Sequence, residues 1–160
     1  MISIIPFEER YAQDVIDLVL HFQNDGTRPM VTVDDQPDLR NIVDSYMHAG
    51  GNFWIAVEND RLIGSIGIMP CNQDIAILKK FFVYEAYQGA PIHLGQKLYA
   101  TLLQFAKENG FKTLLLDTPY NTVRTHKFYE KAGFQKVKES ELPLTFSHPI
   151  QECDFFLLNL

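Results

Sequence analysis

A tyrosine and a glycine-bearing loop are the parts of this sequence best suited to chemistry. Tyr129 lies in the segment FYEKAGF, and its phenol could donate a proton to a neighbouring group. The loop YEAYQGAPIHLG separates an apolar segment, IAILKKFFV, from an amphipathic one, QKLYATLLQFAKENG. A loop between a strand and a helix gathers unpaired backbone N–H groups at the positive end of the helix dipole, where phosphate binds well. The sequence therefore predicts a site for a pyrophosphate-bearing ligand beside a proton donor.

The hydrophobic pattern predicts the elements that position this loop and this tyrosine. Apolar residues at three- and four-residue steps indicate helices, and short apolar or alternating runs between turn residues indicate strands. The predicted strands are 2–5, 52–57, 61–69, 75–83, 112–118, 135–142 and 153–160, and the predicted helices are 8–22, 38–49, 96–110 and a short one in the segment that ends at Phe134. The two strands that flank the long helix should be parallel, because a helix crossover joins them. We expect a mixed α/β (α+β) fold with four helices around a mainly antiparallel sheet.

Composition limits the class of protein. The chain has 160 residues, of which 46% are hydrophobic and 12% aromatic, as expected of one globular domain spanning 1–160. Its net charge of −6 disfavours a nucleic-acid partner, which would need a basic face. Cys71 and Cys153 lack the spacing of a zinc site, and the histidines also lack metal-ligand spacing, so no metal is predicted. Without a signal peptide or an apolar run of about 18 residues, a cytoplasmic protein that does not enter the membrane is expected.

The element order, the loop and FYEKAGF together resemble the GNAT superfamily of acetyl-CoA-dependent N-acetyltransferases. The resemblance covers nearly the whole chain in element order and Ile75 to Phe134 in motif detail. It implies a GNAT-like fold whose parallel strand pair is splayed at the cofactor site. It also implies acetyl-CoA as cosubstrate and direct transfer of the acetyl group, in a ternary complex, to a primary amine of a small molecule or peptide. The loop departs from the family pattern, because it is two residues longer and contains Pro91, which has no N–H to offer.

The same resemblance implies the residues that bind the cofactor. They are Phe82 and Val83 on the strand, Gln88, Gly89 and Ala90 in the loop, Leu94, Gly95 and Gln96 at the helix start, and Asn121 and Phe128. The backbone of the strand residues would pair with the pantetheine arm, and the loop and helix amides would face the pyrophosphate. Asn121 has a second interpretation as a helix N-cap.

Catalysis needs an acid and a base, and the resemblance assigns only the acid. Tyr129 would protonate the leaving thiolate. The glutamate that many family members carry on the fourth strand is replaced by Ile77, which leaves Asp74, Glu85 and Asp117 as open candidates for the base. Alternation along a strand predicts that only one of the neighbours Lys79 and Lys80 reaches a ligand.

Other functions remain open from the sequence. A non-catalytic acyl-CoA sensor would share the fold, the altered loop and the missing glutamate. A NAD-type dinucleotide binder is disfavoured because GxGxxG is absent. The residue types in 24–51 and 143–152, the predicted walls of the acceptor site, do not identify the amine. The apolar terminal strand CDFFLLNL predicts a possible homodimer.

Overall fold

The computed structural model describes residues 1–26, 29–119, 123–144 and 153–160. Its strands are β1 (Ile2–Pro6), β2 (Asn52–Glu58), β3 (Arg61–Pro70), β4 (Ile75–Val83), β5 (Thr113–Pro119), β6 (Gln135–Val137) and β7 (Cys153–Asn159). Its α-helices are α1 (Ala12–Gln23), α2 (Leu94–Glu108) and α3 (Val123–Lys131). Short 3₁₀ segments occur at Glu9–Tyr11, Val33–Asp35, Pro37–Arg40, Glu85–Tyr87 and Glu139–Glu141, and a π-helical segment at Val43–Met47.

The seven strands form one sheet in the order β1-β2-β3-β4-β5-β7-β6. Pairing is antiparallel throughout the described sheet except between β4 and β5, which the α2 crossover makes parallel. This confirms the predicted mixed α/β fold with a mainly antiparallel sheet and one parallel pair.

The second predicted helix is present in an irregular form. In place of a helix over 38–49, the chain forms the 3₁₀ turn Pro37–Arg40 followed by the π-helical turn Val43–Met47. These two turns place Leu39, Ile42 and Tyr46 on one buried face, and the Tyr46 hydroxyl donates to Asp38 Oδ2 at 2.6 Å. The hydrophobic spacing therefore predicted the buried face correctly, although no regular α-helix forms there.

The predicted strand 135–142 is wrong beyond Val137. The chain turns at Lys138, whose N–H donates to the Glu141 carboxylate at 2.8 Å, and a 3₁₀ turn follows at Glu139–Glu141. This charged segment has no apolar face to bury, so the local turn replaces strand pairing.

Each face of the sheet packs against helices. One core lies between one face of the sheet and the helices α2 and α3, and it includes Ile66, Leu98 and Phe156. A second core, which includes Val15 and Phe53, lies between the sheet and α1 with the 37–47 segment. Each fully buried large apolar side chain contributes about 1.5–3 kcal/mol to folding. The two cores hold the sheet as the middle layer of three.

Strand β7 is an interior strand. It pairs with β5 from Cys153 to Asn159 and with β6 at Phe155–Leu157, and the edge strands of the sheet are β1 and β6. The middle of β7 is therefore paired on both sides, which leaves the strand poorly placed to pair across a dimer. A homodimer stays a prediction that needs another surface. Within the described ranges, every helix is too short or too polar to cross a bilayer.

Candidate active site

A cleft opens where β4 and β5 separate. The two strands pair only from Ile75–Thr113 to Ile77–Leu115. Beyond that point, β4 stays paired with β3 and β5 stays paired with β7. The gap holds a cavity of about 410 Å³. Its lining residues are Leu78 to Val83 of β4, Asp117 to Pro119 at the end of β5, Gln88, Gly89, His93, Gly95 and Gln96 around the start of α2, Thr125, Phe128 and Tyr129 of α3, and Phe22, Gln23 and Asp25 at the end of α1. The structure thus places the sequence-predicted loop and tyrosine around one space.

Most of the cofactor-binding residues predicted from sequence lie on this cavity. Those that line it are Phe82, Val83, Gln88, Gly89, Gly95, Gln96 and Phe128. Ala90 is exposed and outside the lining, and the Leu94 side chain is fully buried in the core. Asn121 lies outside the described residues. Sequence reasoning missed the contribution of α1, where Phe22 stacks on Phe82 with ring centroids 5.5 Å apart.

Strand β4 carries a bulge at the cavity. Ser65 pairs with Phe82 but Gly67 pairs with Lys79, so Lys80 and Phe81 together oppose one residue of β3. Lys80 takes a left-handed φ of 53°, and its carbonyl accepts a hydrogen bond from Ser65 Oγ at 2.6 Å. Because a bulge interrupts regular alternation, both Lys79 and Lys80 line the cavity. The prediction that only one of them reaches a ligand stays a prediction.

The end of β4 presents main-chain atoms to the cleft. The Tyr84 N–H donates to the Ile63 carbonyl of β3 at 3.0 Å. Since the carbonyl and N–H of one trans peptide point in opposite directions, the Val83 carbonyl turns away from β3, towards the cleft. The Gln88 side chain donates to this carbonyl at 2.8 Å, which fixes the start of the loop against the strand. Phe82, by alternation, directs its main chain to β3 and contributes its ring to the cavity wall.

Ala90 and Pro91 of the lengthened loop lie away from the cavity. The His93 N–H donates to the Gly89 carbonyl at 2.8 Å, which closes a turn whose tip, Ala90 and Pro91, is exposed. The absent N–H of Pro91 therefore falls outside the cavity lining. The first bond within α2 runs from the Lys97 N–H to the His93 carbonyl at 3.2 Å. The amides of residues 94–96 precede that bond and carry the positive end of the helix dipole.

Tyr129 is a buried phenol at the cavity wall. Its side chain is 3% exposed and packs near Phe81 and Phe134, with ring centroids 6.4 and 5.5 Å away. Burial raises the pKa of Tyr129 far above the ordinary value for a phenol, and the nearby Asp117 carboxylate raises it further. The hydroxyl therefore stays protonated and can serve as a hydrogen-bond donor.

The three candidate carboxylates occupy different places. Asp74 lies 3.7 Å from the Lys112 ammonium, at the opposite end of β4 from the loop. Glu85 lies on the surface and pairs with His21 at 3.0 Å. Neither lines the cavity, whereas Asp117 does. Ile77, at the position where the family resemblance implied a glutamate, is 3% exposed and pairs with Leu115.

A buried polar cluster lies under the cavity on the α1 side. The Lys80 ammonium donates to Gln36 Oε1 at 2.5 Å and lies 3.9 Å from Asp38 Oδ2. Gln36 and Gln23 exchange amide hydrogen bonds at 2.9 and 2.5 Å. Burial lowers the pKa of Lys80 to about 8, and the Asp38 carboxylate opposes that effect. Sequence reasoning noticed this lysine but not its burial, which depends on the bulge.

No group of three or more His, Cys, Asp or Glu side chains in the described part of the chain is arranged to hold a metal ion.

Comparison with known proteins gives one consistent family. The profile of the Acetyltransferase (GNAT) family matches residues 16–134. The protein named "Probable N-acetyltransferase camello" from Xenopus tropicalis is 29% identical over 109 residues, which are 66% of this chain and 49% of that protein. The chain therefore spans about half the length of the curated relatives it matches.

Solved structures share the whole fold. An acetyltransferase from Streptococcus agalactiae 2603 has a TM-score of 0.94 and 32% identity, over 99% of this chain and 98% of that chain. A GNAT family acetyltransferase from Elizabethkingia anophelis, solved with acetyl-CoA bound, has a TM-score of 0.62 and 20% identity, over 99% and 97% of the two chains. At that identity the likeness shows the fold alone. The family profile, however, spans most of the chain and includes both the loop and FYEKAGF, so this protein belongs to the acetyltransferase (GNAT) family.

Proposed function

We propose that the protein transfers the acetyl group of acetyl-CoA to a primary amine of a small molecule or peptide, by direct attack in a ternary complex. The observation that carries this proposal is the cavity between β4 and β5, which is lined by the start of α2 at one side and by Tyr129 at another. Family membership and the acetyl-CoA in the Elizabethkingia anophelis structure support the choice of cosubstrate.

The chain offers a separate group for each part of the cofactor. The pyrophosphate would accept hydrogen bonds from Gly89 and from the amides of residues 94–96, where the helix dipole favours an anion. The pantetheine arm would lie along the cleft and pair with the main chain of Val83, with Phe82 and Phe128 as apolar walls. Asn121 stays a prediction for this arm.

Tyr129 would act on the leaving group. The amine nitrogen attacks the thioester carbonyl carbon, the C–S bond breaks, and the sulfur leaves as a thiolate. The high pKa of Tyr129 makes full proton transfer to a thiolate unfavourable at equilibrium, because the ordinary pKa of a thiol is about 8.5. Tyr129 would therefore stabilise the developing thiolate by donating a hydrogen bond, and the proton lost by the attacking amine balances the charge.

The amine must lose a proton before it attacks. For an alkylammonium with a pKa near 10.4, deprotonation at pH 7 costs about 4.6 kcal/mol. A carboxylate at the reaction site lowers that cost by accepting the proton, directly or through a water. We propose Asp117 for this role, since it is the one of the three candidates that lines the cavity.

A second function, a non-catalytic acyl-CoA sensor, is favoured by one observation. The buried Ile77 lies where the family resemblance implied a glutamate, and a sensor has no need of a base. The sensor would bind the same thioester in the same cavity.

Two measurements on one protein sample separate these functions. The first titrates acetyl-CoA by calorimetry, and the second follows thiol release from acetyl-CoA with a panel of primary amines, with acetylated products identified by mass spectrometry. We expect binding together with thiol release that depends on the amine. Binding without turnover of any amine would favour the sensor, and no binding would reject both functions.

A further inference from the structure

Lys80 is a nucleophilic group at the cavity that the proposed mechanism does not use. Its side chain is 4% exposed to solvent, and the residue lines the cavity through the bulge of β4. The residue that carries this primary amine therefore forms part of the wall of the space where the proposed acceptor amine must arrive.

The partners of Lys80 hold its nitrogen without neutralising it in a close ion pair. The hydrogen-bond partner is the uncharged carboxamide of Gln36, at 2.5 Å. Among the described residues, the carboxylate oxygen nearest to Nζ is Asp38 Oδ2, at 3.9 Å, and it accepts a hydrogen bond from Tyr46 at 2.6 Å. Lys79 on the same strand disfavours the ammonium form, and Asp117 of β5 favours it.

The net effect of these groups on the Lys80 pKa increases the neutral, nucleophilic fraction of the amine. Burial is the largest effect on Lys80 and lowers its pKa to about 8. At pH 7 such an amine is neutral on the order of 10²-fold more often than an ordinary lysine side chain. Asp117 acts electrostatically on both Lys80 and Tyr129, so one carboxylate lies near the nucleophile and the proposed thiolate donor alike.

We propose that Lys80 is a self-acetylation site: when no acceptor amine is present, the thioester bound in the cavity acetylates Lys80 Nζ. The inference rests on the proposed function, because it requires acetyl-CoA in this cavity. In the step, neutral Nζ attacks the carbonyl carbon, the N–C bond forms and the C–S bond breaks. The thiolate leaves, and the proton that Nζ releases converts this thiolate to the free thiol. No further reactant is needed.

Acetylation would change the acceptor side of the cavity. It converts a buried cation into a neutral amide and removes the positive charge beside Asp38. It also adds volume to the cavity wall. An acetylated molecule should therefore turn over acceptor amines more slowly than an unmodified one.

The test incubates the full chain with acetyl-CoA and no amine, and maps the product by intact and tandem mass spectrometry that distinguishes Lys79 from Lys80. We expect a single acetyl group on Lys80, formed at least tenfold faster than on Lys79 or on the exposed Lys107. The rate should saturate with acetyl-CoA, fall when CoA is added as a competitor, and level off above about pH 8. Lys107→Arg should be labelled like the unaltered protein, and Lys80→Arg should lose the adduct.

Other outcomes would overturn the proposal in distinct ways. Labelling that rises linearly with acetyl-CoA and follows lysine exposure would be spontaneous chemical acetylation. An unmodified Lys80 in protein that binds acetyl-CoA by calorimetry and acetylates added amines would reject self-acetylation but leave the proposed function intact. An absence of acetyl-CoA binding would reject the proposed function, and this inference with it. The site mapping on the unaltered chain decides the question even if Lys80→Arg fails to fold.

Discussion

At the scale of single residues, burial acts on two ionisable side chains of the cavity in opposite directions. It raises the pKa of Tyr129 and lowers that of Lys80, because a low-dielectric environment favours the neutral form of each. The same environment thus keeps a phenol protonated as a donor and prepares an amine as a nucleophile.

Removal of the Tyr129 hydroxyl should separate binding from turnover. We expect Tyr129→Phe to bind acetyl-CoA with nearly unchanged affinity and to lower kcat at least tenfold, since only the donor to the thiolate is lost. Steady-state kinetics beside calorimetry measure the two quantities. Tyr87→Phe is a suitable control, because Tyr87 donates to Glu58 outside the cavity lining. An unchanged kcat would remove Tyr129 from the mechanism.

Removal of the Asp117 charge tests the proposed base. We expect Asp117→Asn to lower kcat/KM by about 10²-fold at pH 7, and by less at high pH, where more of the amine is already neutral. A pH–rate profile with one amine of known pKa gives the result. Asp74→Asn serves as the control, since Asp74 pairs with Lys112 away from the cavity. An equal loss at every pH would point instead to a structural role for Asp117.

Residue types revealed part of the site and not the rest. The motif FYEKAGF and the glycine loop predicted Tyr129, Gln88 and Gly89 as site residues, and all three line the cavity, although their roles stay predictions. Lys80 could not be assigned, since its burial follows from a β-bulge that leaves no trace in the hydrophobic pattern. The only sequence feature that pointed to Lys80 was its place in a pair of lysines inside an apolar strand.

At the scale of elements, the start of α2 controls access to the proposed pyrophosphate site. Gly95 lies in the first turn, and a Cβ placed there would come 3.6 Å from the Phe81 ring. That distance is an ordinary contact, so the fold can accept a methyl group. The methyl would nonetheless take up space at the cavity wall, where Gly95 now has no side chain.

Gly95→Ala should therefore separate stability from affinity. We expect Tm to stay equal or rise, since alanine favours a helix over glycine by about 1 kcal/mol, and acetyl-CoA affinity to fall about tenfold. Thermal unfolding and calorimetry measure the two effects. Gln104→Ala, on the exposed surface of the same helix, should leave affinity unchanged. Normal affinity in Gly95→Ala would place the cofactor elsewhere.

At the scale of the whole molecule, general rules of chain topology predicted the fold. Strand and helix periods predicted the element order, and the crossover rule predicted the parallel pair. The insertion of β7 between β5 and β6 and the separation of β4 from β5 depend on long-range pairing, which local patterns do not encode. A single domain and a cytoplasmic location stay predictions.

Global stability should depend on pH through Lys80. Its pKa is about 8 when folded and 10.5 ordinarily, so between these values the unfolded chain binds a proton that the folded chain does not. Stability must then rise with pH in that window, by about 2 kcal/mol between pH 8 and 10. Above pH 10, the raised pKa values of the buried Tyr46 and Tyr129 act in the opposite sense, because the unfolded tyrosines lose protons first.

Urea unfolding across pH 8–10 measures this dependence. The difference in unfolding free energy between the unaltered chain and Lys80→Met isolates Lys80, because the other titrating groups are common to both. We expect the difference to shift by about 2 kcal/mol in favour of the unaltered chain as pH rises. A constant difference would show that Lys80 keeps an ordinary pKa in the folded protein.

The separation of β4 from β5 also creates an exposed strand edge in the middle of a sheet. Such edges invite association with a strand of another molecule, and natural proteins discourage it with bulges and lysines. Both devices occur here, in the β4 bulge and in the neighbouring Lys79. The gap should thus admit a slender flexible ligand while rejecting foreign polypeptide, so the same irregularity that shapes the reaction space also protects the protein from aggregation.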